Sequence, residues 1–251
     1  MNHLPLALVT GGTKGIGFRI AQELSTTHRL ALIFKSDVEK AQHSFLELKK
    51  QSVEAEIFQV DITKPTDFHS TYHQIKTRFG SAPSVLINSA GKASNCLALL
   101  ESVEAVSELM SINFLGAVNA MNLVIPDMRA NGGGQIINIS SNDAGHAVRG
   151  KAAYSPTKVA LEEYSHVMAG SLAQQKINVC CIRPGILPTE MSLEWLKALA
   201  PDSPEYKSVL FPSGKLISLD SVSDAVRFLL STPEFNDITL TVDGGYSAFR
   251  Q

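Results

Sequence analysis

The chain has 251 residues, of which 44% are hydrophobic and 18% are charged, and its formal net charge at pH 7 is −2. This length and composition are those of a globular protein, and we expect one α/β domain over residues 1–251. The slightly acidic balance excludes binding of nucleic acid through a broad basic surface, and no uninterrupted apolar run approaches the ~18 residues of a membrane span, so neither partner is expected.

The three cysteines, Cys96, Cys180 and Cys181, do not form a disulfide framework, because two of them are adjacent. The chain also lacks a CxxC pair, so we expect no metal site built on such a motif. All three are expected to be small buried side chains in a reducing compartment, which places the protein in the cytoplasm.

Short apolar or β-branched runs alternate with longer segments of helical periodicity along the whole chain. The runs predicted as strands are 6–9, 30–34, 56–60, 84–87, 135–139, 178–182 and 238–242. The segments predicted as helices are 16–24, 37–51, 66–79, two stretches within 101–130, 154–175 and 220–230. This alternation predicts a Rossmann-like, doubly wound parallel sheet of about seven strands with helices on both faces. Ligands of such sheets bind at the carboxyl ends of the strands.

A glycine-rich turn follows the first strand and leads into the first helix. Glycines allow a tight turn and a close backbone approach, and a helix N-terminus offers free N–H groups and a positive dipole end to a pyrophosphate. We therefore expect this turn to bind a dinucleotide. The residues concerned are Gly11, Gly12, Thr13, Lys14, Gly15, Ile16 and Gly17.

The residues after the second strand indicate which dinucleotide is bound. An NAD site usually places an acidic residue there to bond the ribose 2′-hydroxyl, whereas this chain has Lys35 and Ser36. Asp37 is expected to cap the next helix. Lys14 and Lys35 would supply two cations for a 2′-phosphate, which favours NADP(H) over NAD. The alternative is that both lysines are solvated surface residues.

Two further strand ends are predicted to contact this cofactor. Asp61 and Ile62 follow the third strand, where the edge of an adenine would lie. Asn88, Ala90 and Gly91 follow the fourth strand, where small residues would let a ribose approach. Either segment alone is also compatible with a structural turn.

A candidate acid–base site follows the fifth strand. Ser141 lies at its end, and Tyr154 and Lys158 are spaced to share one helix face. We expect the ammonium of Lys158, together with a positively charged nicotinamide, to lower the pKa of the Tyr154 phenol and make it an acid or base near neutral pH. Ser141 would hydrogen-bond the same substrate oxygen. Asn113 would hold a water that relays protons to Lys158.

These motifs resemble those of the short-chain dehydrogenase/reductase family over essentially the whole chain. The matching segments are Thr10–Gly17, 88–91, Asn113, Ser141, Tyr154 with Lys158, Arg183–Thr189 and Val242–Gly245. Within the family, the chain is most similar to 3-oxoacyl-[acyl-carrier-protein] reductases of fatty acid biosynthesis and to carbonyl reductases. The resemblance implies NADPH-dependent reduction of a ketone, with a 3-oxoacyl thioester as the favoured substrate. The alternatives are an oxidoreductase of another alcohol or ketone (a steroid, sugar or secondary metabolite) and a non-catalytic NADP-binding regulator.

The resemblance also implies a role for each site residue. Ser141 positions the carbonyl, Tyr154 donates the proton, Lys158 binds the nicotinamide ribose and Asn113 completes the relay, so that Tyr154 and Lys158 also contact the cofactor. The segment after the sixth strand would contact the nicotinamide through Pro184, Gly185, Leu187 and Thr189.

Partners follow from the same resemblance. An acyl carrier protein is implied, although the basic residues expected beside the pocket are few, with only Arg129 and Lys176 nearby. The helices at 103–129 and 154–175 would form a four-helix contact between subunits, giving a homodimer or homotetramer. The alternative is that their small and apolar residues are buried within one subunit.

The segment 186–213 is predicted either to form an apolar lid over the nicotinamide or to pack on the core as an amphipathic helix. His146 and Arg149, in the loop after the fifth strand, are candidates to reach a polar end of the substrate.

Overall fold

The computed structural model describes residues 4–197, 203, 206, 212 and 214–249, which form a seven-stranded parallel sheet with helices on both faces. The strands are β1 (Leu6–Thr10), β2 (Arg29–Phe34), β3 (Ala55–Gln59), β4 (Val85–Asn88), β5 (Gly134–Ile139), β6 (Ile177–Pro184) and β7 (Thr239–Val242). Their order in the sheet is β3-β2-β1-β4-β5-β6-β7, which confirms the predicted Rossmann-like sheet. The order reverses between β1 and β4, and this reversal places the ligand crevice at their carboxyl ends.

The helices lie where the helical periodicity predicted them, except that two stretches are joined and that one helix falls in the segment 186–213, where a helix was one of two alternatives. They are α1 (Gly15–Leu24), α2 (Val38–Lys50), α3 (Pro65–Phe79), α4 (Val103–Met110), α5 (Gly116–Ala130), α6 (Ser155–Leu172), α7 (Glu190–Leu196) and α8 (Leu219–Leu230). The sequence predicted two stretches within 101–130. In the structure a π-helical turn, Ser111–Leu115, joins α4 and α5 into one continuous helix. In such a turn each backbone hydrogen bond spans five residues instead of four, so the helix widens locally and does not end.

Each face of the sheet has its own apolar core. Along β1, Leu6 and Leu8 face the layer of α3, α5 and α6, whereas Ala7 and Val9 face the layer of α1, α2 and α8. A sheet buried on both faces explains why its strands are almost continuously apolar. Polar chemistry is therefore left to the strand ends and the loops that follow them.

The continuous helix formed by α4 and α5 passes a test of length and composition for crossing a membrane. It has 28 residues, and its mean hydropathy reaches 1.4. The sequence contains no uninterrupted apolar run here because Ser111, Asn113 and Asn119 interrupt it. In the fold, Ala120 and Val124 of this helix are buried in the core on the sheet. A core helix of a globular protein passes the same test, and 39% of the apolar window of this helix is buried inside the subunit.

The cysteines are free thiols. Cys180 and Cys181 are buried in β6, as expected, whereas Cys96 is only partly buried in the loop after β4. Among the residues that the structure describes, no three His, Cys, Asp or Glu side chains are grouped so that they could hold a metal ion.

Candidate active site

The turn between β1 and α1 has a shape that requires glycine. Gly11 has φ +64°, and a Cβ there would lie 2.9 Å from the Cα of Ala90. A Cβ at Gly17 would lie 2.2 Å from the carbonyl oxygen of Gly11. Lys14 makes no side-chain cap, and the first turn of α1 has no acidic residue. The N–H groups at the positive end of this helix therefore suit a phosphate, and the turn fits the pyrophosphate of a dinucleotide.

The turn is also tied to its neighbours. The N–H of Gly12 donates to β2 at 3.1 Å, and the carbonyl of buried Thr13 accepts from Ser44 of α2 at 2.7 Å. A Cβ added at Gly15 would lie 3.6 Å from the methyl group of Thr189. The loop after β6 thus comes close to the glycine turn, as expected if both contact one extended cofactor.

An ion pair occupies the predicted adenosine end of the site. Lys35 Nζ lies 2.8 Å from Asp61 Oδ2, and Asp61 also accepts hydrogen bonds from the N–H and hydroxyl of Thr63. Burial acts to raise the pKa of Asp61, but the bonds from Lys35 and Thr63 outweigh it, and the pKa lies below its usual value. Asp61 therefore partly neutralises the cation assigned to the 2′-phosphate. Ile62 is buried and packs on Gly116 of α5.

The carboxylate nearest the end of β2 belongs to Asp37, and it caps α2 as the sequence predicted. It accepts the N–H of Lys40 at 3.1 Å. Lys14 and Ser36 are both exposed. The helix thus engages the carboxylate of Asp37, and Lys35 is paired with Asp61, whereas Lys14 is exposed in the glycine turn.

The segment after β4 uses its side chains within the sheet. Asn88 Nδ2 donates to Asn138 on β5 at 2.8 Å, and Asn88 Oδ1 accepts from the hydroxyl of Thr10 at 3.5 Å. Any cofactor contact at Asn88 would therefore come from its backbone. At Gly91, an added Cβ would lie 3.7 Å from Lys158 Nζ. The segment thus runs directly past the candidate catalytic residues.

The side chains of Ser141, Tyr154 and Lys158 converge at the carboxyl end of β5. The Ser141 hydroxyl lies close enough to the Tyr154 phenol to lower its pKa, and Lys158 Nζ lies 5.9 Å from the centre of the phenol ring. Lys158 Nζ also donates to the carbonyl oxygen of Ile139, the last residue of β5, at 2.9 Å. A hydroxyl, a phenol and an ammonium are thus gathered at one place, as general acid–base chemistry requires.

The pKa of Tyr154 differs from the sequence-based expectation. Burial raises it to about 12; the hydrogen bond from Ser141 acts to lower it and the charge of Asp143 to raise it. Burial also lowers the pKa of Lys158 to about 8. Desolvation of the phenolate therefore outweighs the lowering by Ser141. The phenol is protonated at neutral pH, which is the form that can donate a proton.

Asn113 lies in the π-helical turn, and its side chain is occupied by protein partners. Its Oδ1 accepts from the N–H of Lys92 at 2.8 Å, and its Nδ2 donates to the carbonyl of Lys92 and to the hydroxyl of Thr157. Thr157 donates in turn to the carbonyl of Tyr154 at 2.7 Å. Asn113 thus fixes the loop after β4 against the start of α6. Because the Asn113 side chain is already hydrogen-bonded, a water of the predicted proton relay would have to bind other polar groups of the π-helical turn.

The loop after β6 is fixed by the chain's closing segment. A Cβ at Gly185 would lie 2.9 Å from the Cα of Asp243, whose carboxylate accepts the N–H groups of Gly245 and Ser247. Leu187 is buried in the core. The residues predicted to contact the nicotinamide, Pro184, Gly185, Leu187 and Thr189, therefore form a rigid start to this loop.

The predicted lid lies only partly within the described residues. In α7, Leu196 is buried and Leu193 is 39% exposed, so this helix packs on the protein along one face. Several other apolar positions of the predicted lid lie outside the described residues, or have only their backbone described. The lid stays a prediction at these positions. They are Met191, Trp195, Leu199, Leu210 and Phe211.

Two charged residues that sequence reasoning missed flank the phenol. Lys151 Nζ lies 5.3 Å from the centre of the Tyr154 ring and 3.9 Å from Asp143 Oδ2. Burial lowers the pKa of Lys151, and the Asp143 charge acts to raise it. The only sequence signal was position, since Asp143 lies two residues after Ser141 and Lys151 lies three before Tyr154.

A groove of about 1090 Å³ lies beside the site, between the loop after β4, the loop before α6 and the outer face of α6. His146 and Arg149, the candidates for a polar substrate end, both line it. Tyr154 is not among its lining residues, but its neighbours Lys151 and Ser155 are. Apolar residues line much of the rest, among them Leu97, Val148, Pro156 and Val159.

The basic residues considered for an acyl carrier protein lie elsewhere in the subunit. Arg129 is in the last turn of α5, and Lys176 precedes β6, where its carbonyl accepts the N–H of Gly134. Both are at the amino ends of the strands, whereas the site is at the carboxyl ends. The expectation that they stand beside the pocket is therefore wrong within one subunit.

Known proteins resemble this chain over most of its length. The family model for short chain dehydrogenases matches residues 5–199. The chain is 28% identical over 237 residues to carbonyl reductase family member 4 of Xenopus laevis, covering 94% of this chain and 95% of the relative. It is 31% identical over 238 residues to the 3-oxoacyl-[acyl-carrier-protein] reductase of Rattus norvegicus, with the same coverage.

Solved structures share the fold. A variant of the actinorhodin polyketide ketoreductase with NADPH has a TM-score of 0.90 at 24% identity, covering 98% of each chain. A dehydrogenase/reductase from Sinorhizobium meliloti has a TM-score of 0.87 at 25% identity, covering 97% of this chain and 95% of the other. The family model matches most of this chain, and the solved structures share its fold over nearly the whole length. The chain therefore belongs to the short-chain dehydrogenase/reductase family and is an oxidoreductase that uses a nicotinamide cofactor.

Proposed function

We propose that this protein reduces a ketone to a secondary alcohol with NADPH. The observation that carries the proposal is the convergence of Ser141, Tyr154 and Lys158 at the end of β5, next to a glycine turn that fits a pyrophosphate. NADPH is favoured over NADH because Lys14 is exposed in the glycine turn, Lys35 directly follows β2 and Asp37 is engaged as a helix cap.

A bound reduced nicotinamide supplies the hydride, and the chain's own residues handle the carbonyl oxygen. The Ser141 hydroxyl positions that oxygen by a hydrogen bond. The Tyr154 phenol, protonated at neutral pH, gives its proton to the oxygen as negative charge develops there, because an alkoxide is a stronger base than a phenolate. The Lys158 ammonium stabilises the phenolate that remains.

A 3-oxoacyl thioester is the substrate class that we favour. Relatives named 3-oxoacyl-[acyl-carrier-protein] reductase cover almost the whole chain, and the groove beside the site is largely apolar, as an acyl chain requires. A role in fatty acid biosynthesis follows from this substrate. Other ketones remain the alternative class, favoured by the similarity to a carbonyl reductase.

The test is turnover of a short 3-oxoacyl thioester against a panel of simple ketones, steroids and sugars, followed at the absorbance band of NADPH. We expect the thioester to give the highest kcat/KM. A higher kcat/KM for a ketone of the panel moves the assignment to that class. Tight NADPH binding without oxidation by any carbonyl would leave a cofactor-binding regulator and overturn the proposal.

We also propose that the protein is a homodimer or homotetramer in the cytoplasm. Large apolar side chains are exposed along the outer faces of α4 and α6, including Val103 at 80% and Val167 at 55%. Exposed apolar surface of this kind is typical of subunit contacts. The free thiols in β6 suit a reducing compartment.

A further inference from the structure

One largely buried carboxylate connects the three segments that carry the site. Glu162 lies on α6, one helical turn after Lys158, and its side chain is 11% exposed. Glu162 Oε1 accepts the hydroxyl of Ser140 at 2.5 Å and Arg183 Nε at 2.7 Å, and Glu162 Oε2 accepts the second Arg183 nitrogen at 2.5 Å. A bidentate ion pair of this kind fixes both the distance and the relative orientation of the guanidinium and the carboxylate.

The partners of Glu162 are adjacent to functional residues in the sequence. Ser140 immediately precedes Ser141 at the end of β5, and Arg183 immediately precedes Pro184, where the loop toward the nicotinamide begins. The same two strand ends are also joined by the N–H of Asn142, which donates to the carbonyl of Pro184 at 3.0 Å. A shift of the Glu162 carboxylate would therefore move the catalytic serine and the cofactor loop together.

We propose that Glu162 is a positioning residue, whose carboxylate, through Ser140 and Arg183, holds the end of β5 and the start of the cofactor loop in register with Tyr154 and Lys158 on α6. This inference rests on the proposed reductase function. It assigns to Glu162 no contact with substrate or cofactor.

The charge of Glu162 also acts on Lys158. Burial is the largest influence and lowers the pKa of Lys158, whereas Cys181 on β6 and Glu162 on α6 act to raise it. Burial raises the pKa of the Cys181 thiol to about 12, so this thiol is neutral at neutral pH. Glu162 is then the negative charge that keeps Lys158 protonated. The Tyr154 phenol, also protonated, faces Lys158 from the start of α6.

Arg183 faces Glu162 from β6 and balances part of its charge, and the Asp143–Lys151 pair lies beside the Tyr154 ring. Replacing Glu162 with glutamine removes the negative charge and leaves an amide N–H₂ facing the guanidinium of Arg183. The pKa of Lys158 should then fall further. Turnover that needs the ammonium should be lost at a lower pH than in the wild type.

The experiment compares Glu162→Gln with Asp127→Asn. Asp127 is a matched control because its carboxylate likewise accepts a hydroxyl, from Tyr72, and a cation, from Lys76, but joins α3 to α5 away from the site. Three quantities are measured: kcat over a range of pH, the dissociation constant of NADPH without ketone, and the melting temperature.

For Glu162→Gln we expect kcat to fall at least tenfold, the alkaline limb of the kcat profile to move to lower pH, and the NADPH dissociation constant to rise severalfold. Asp127→Asn should leave all three at wild-type values apart from a lower melting temperature. Wild-type kcat, alkaline limb and NADPH affinity in a folded Glu162→Gln protein would overturn the proposal. A merely structural role would lower the melting temperature without moving the alkaline limb.

Ser140→Ala decides the question if Glu162→Gln does not fold. Ser140→Ala removes the hydrogen bond between Ser140 and Glu162 and keeps the charge of Glu162. We therefore expect kcat to fall severalfold while the alkaline limb of the kcat profile stays in place, and wild-type kcat would overturn the positioning role.

NADPH binding can be measured without turnover, so it separates a failure of the proposed reductase function from a failure of the role assigned to Glu162. A wild-type protein that binds NADPH and reduces no ketone contradicts the proposed function, whereas an active wild type with unaffected variants contradicts the role of Glu162.

Discussion

At the scale of single residues, the choice of cofactor depends on two exposed lysines. Lys35 is 61% exposed and paired with Asp61, so its own contribution is modest. We expect the double substitution Lys14→Ala with Lys35→Ala to lower kcat/KM for NADPH roughly tenfold, about 1.4 kcal/mol. The value for NADH should change less than twofold, because NADH lacks the 2′-phosphate.

Initial rates at the nicotinamide band with either cofactor check this prediction. Lys50→Ala, at the end of α2, is the control for a general loss of surface charge. A wild-type protein with the higher kcat/KM on NADH would contradict the assignment to NADP, as would an equal fall for both cofactors in the double variant.

Residue-level reasoning from the sequence reached the candidate catalytic groups but not their environment. Ser141, Tyr154 and Lys158 are close in sequence and follow one strand, so local spacing could find them. The raised pKa of Tyr154 could not be found in this way, because it depends on how deeply several segments bury the phenol. The Ser140–Glu162–Arg183 contacts were missed for a related reason, since they require β5 to lie beside β6.

At the scale of elements, the glycine turn and α1 act as one unit. A Cβ at Gly17 would lie 2.2 Å from a backbone oxygen of the same turn, so Gly17→Ala must open the turn. We expect the KM for NADPH to rise more than tenfold and the free energy of unfolding to fall by about 1–3 kcal/mol.

Gly170→Ala is the matched control, because a Cβ at this position of α6 meets nothing within 4 Å. It should raise the free energy of unfolding by about 0.5–1 kcal/mol through helix propensity and leave the KM unchanged. Denaturant unfolding and NADPH kinetics of both variants decide the matter. Wild-type NADPH affinity in Gly17→Ala would show that the turn does not bind the cofactor.

Elements were predictable where their periodicity is strong. All seven strands appear where apolar runs predicted them, and Asp37 caps α2 as expected. The continuity of α4 and α5 was not predicted, because a π-helical turn has no simple residue signature. Its position is explained by Asn113, whose side chain bonds the loop after β4 and Thr157 on α6. Those partners are distant in sequence.

At the scale of the whole molecule, the exposed faces of α4 and α6 predict an oligomer. We expect the wild type to scatter light as a dimer or tetramer at micromolar concentration, and Val103→Glu with Val167→Glu to lower the apparent mass. Leu46→Glu, on α2 across the sheet, introduces the same charge at an exposed leucine and should not change the mass. A monomeric wild type would contradict the prediction.

The account as a whole rests on proton donation by one phenol, and Tyr154→Phe tests this most directly. The substitution keeps the ring and removes only the hydroxyl that Ser141 contacts. Steady-state reduction of the preferred ketone is measured together with NADPH affinity and the melting temperature. We predict that kcat falls by about 10²–10⁴-fold while affinity and stability stay close to wild type. A folded Tyr154→Phe protein with wild-type kcat would contradict the account.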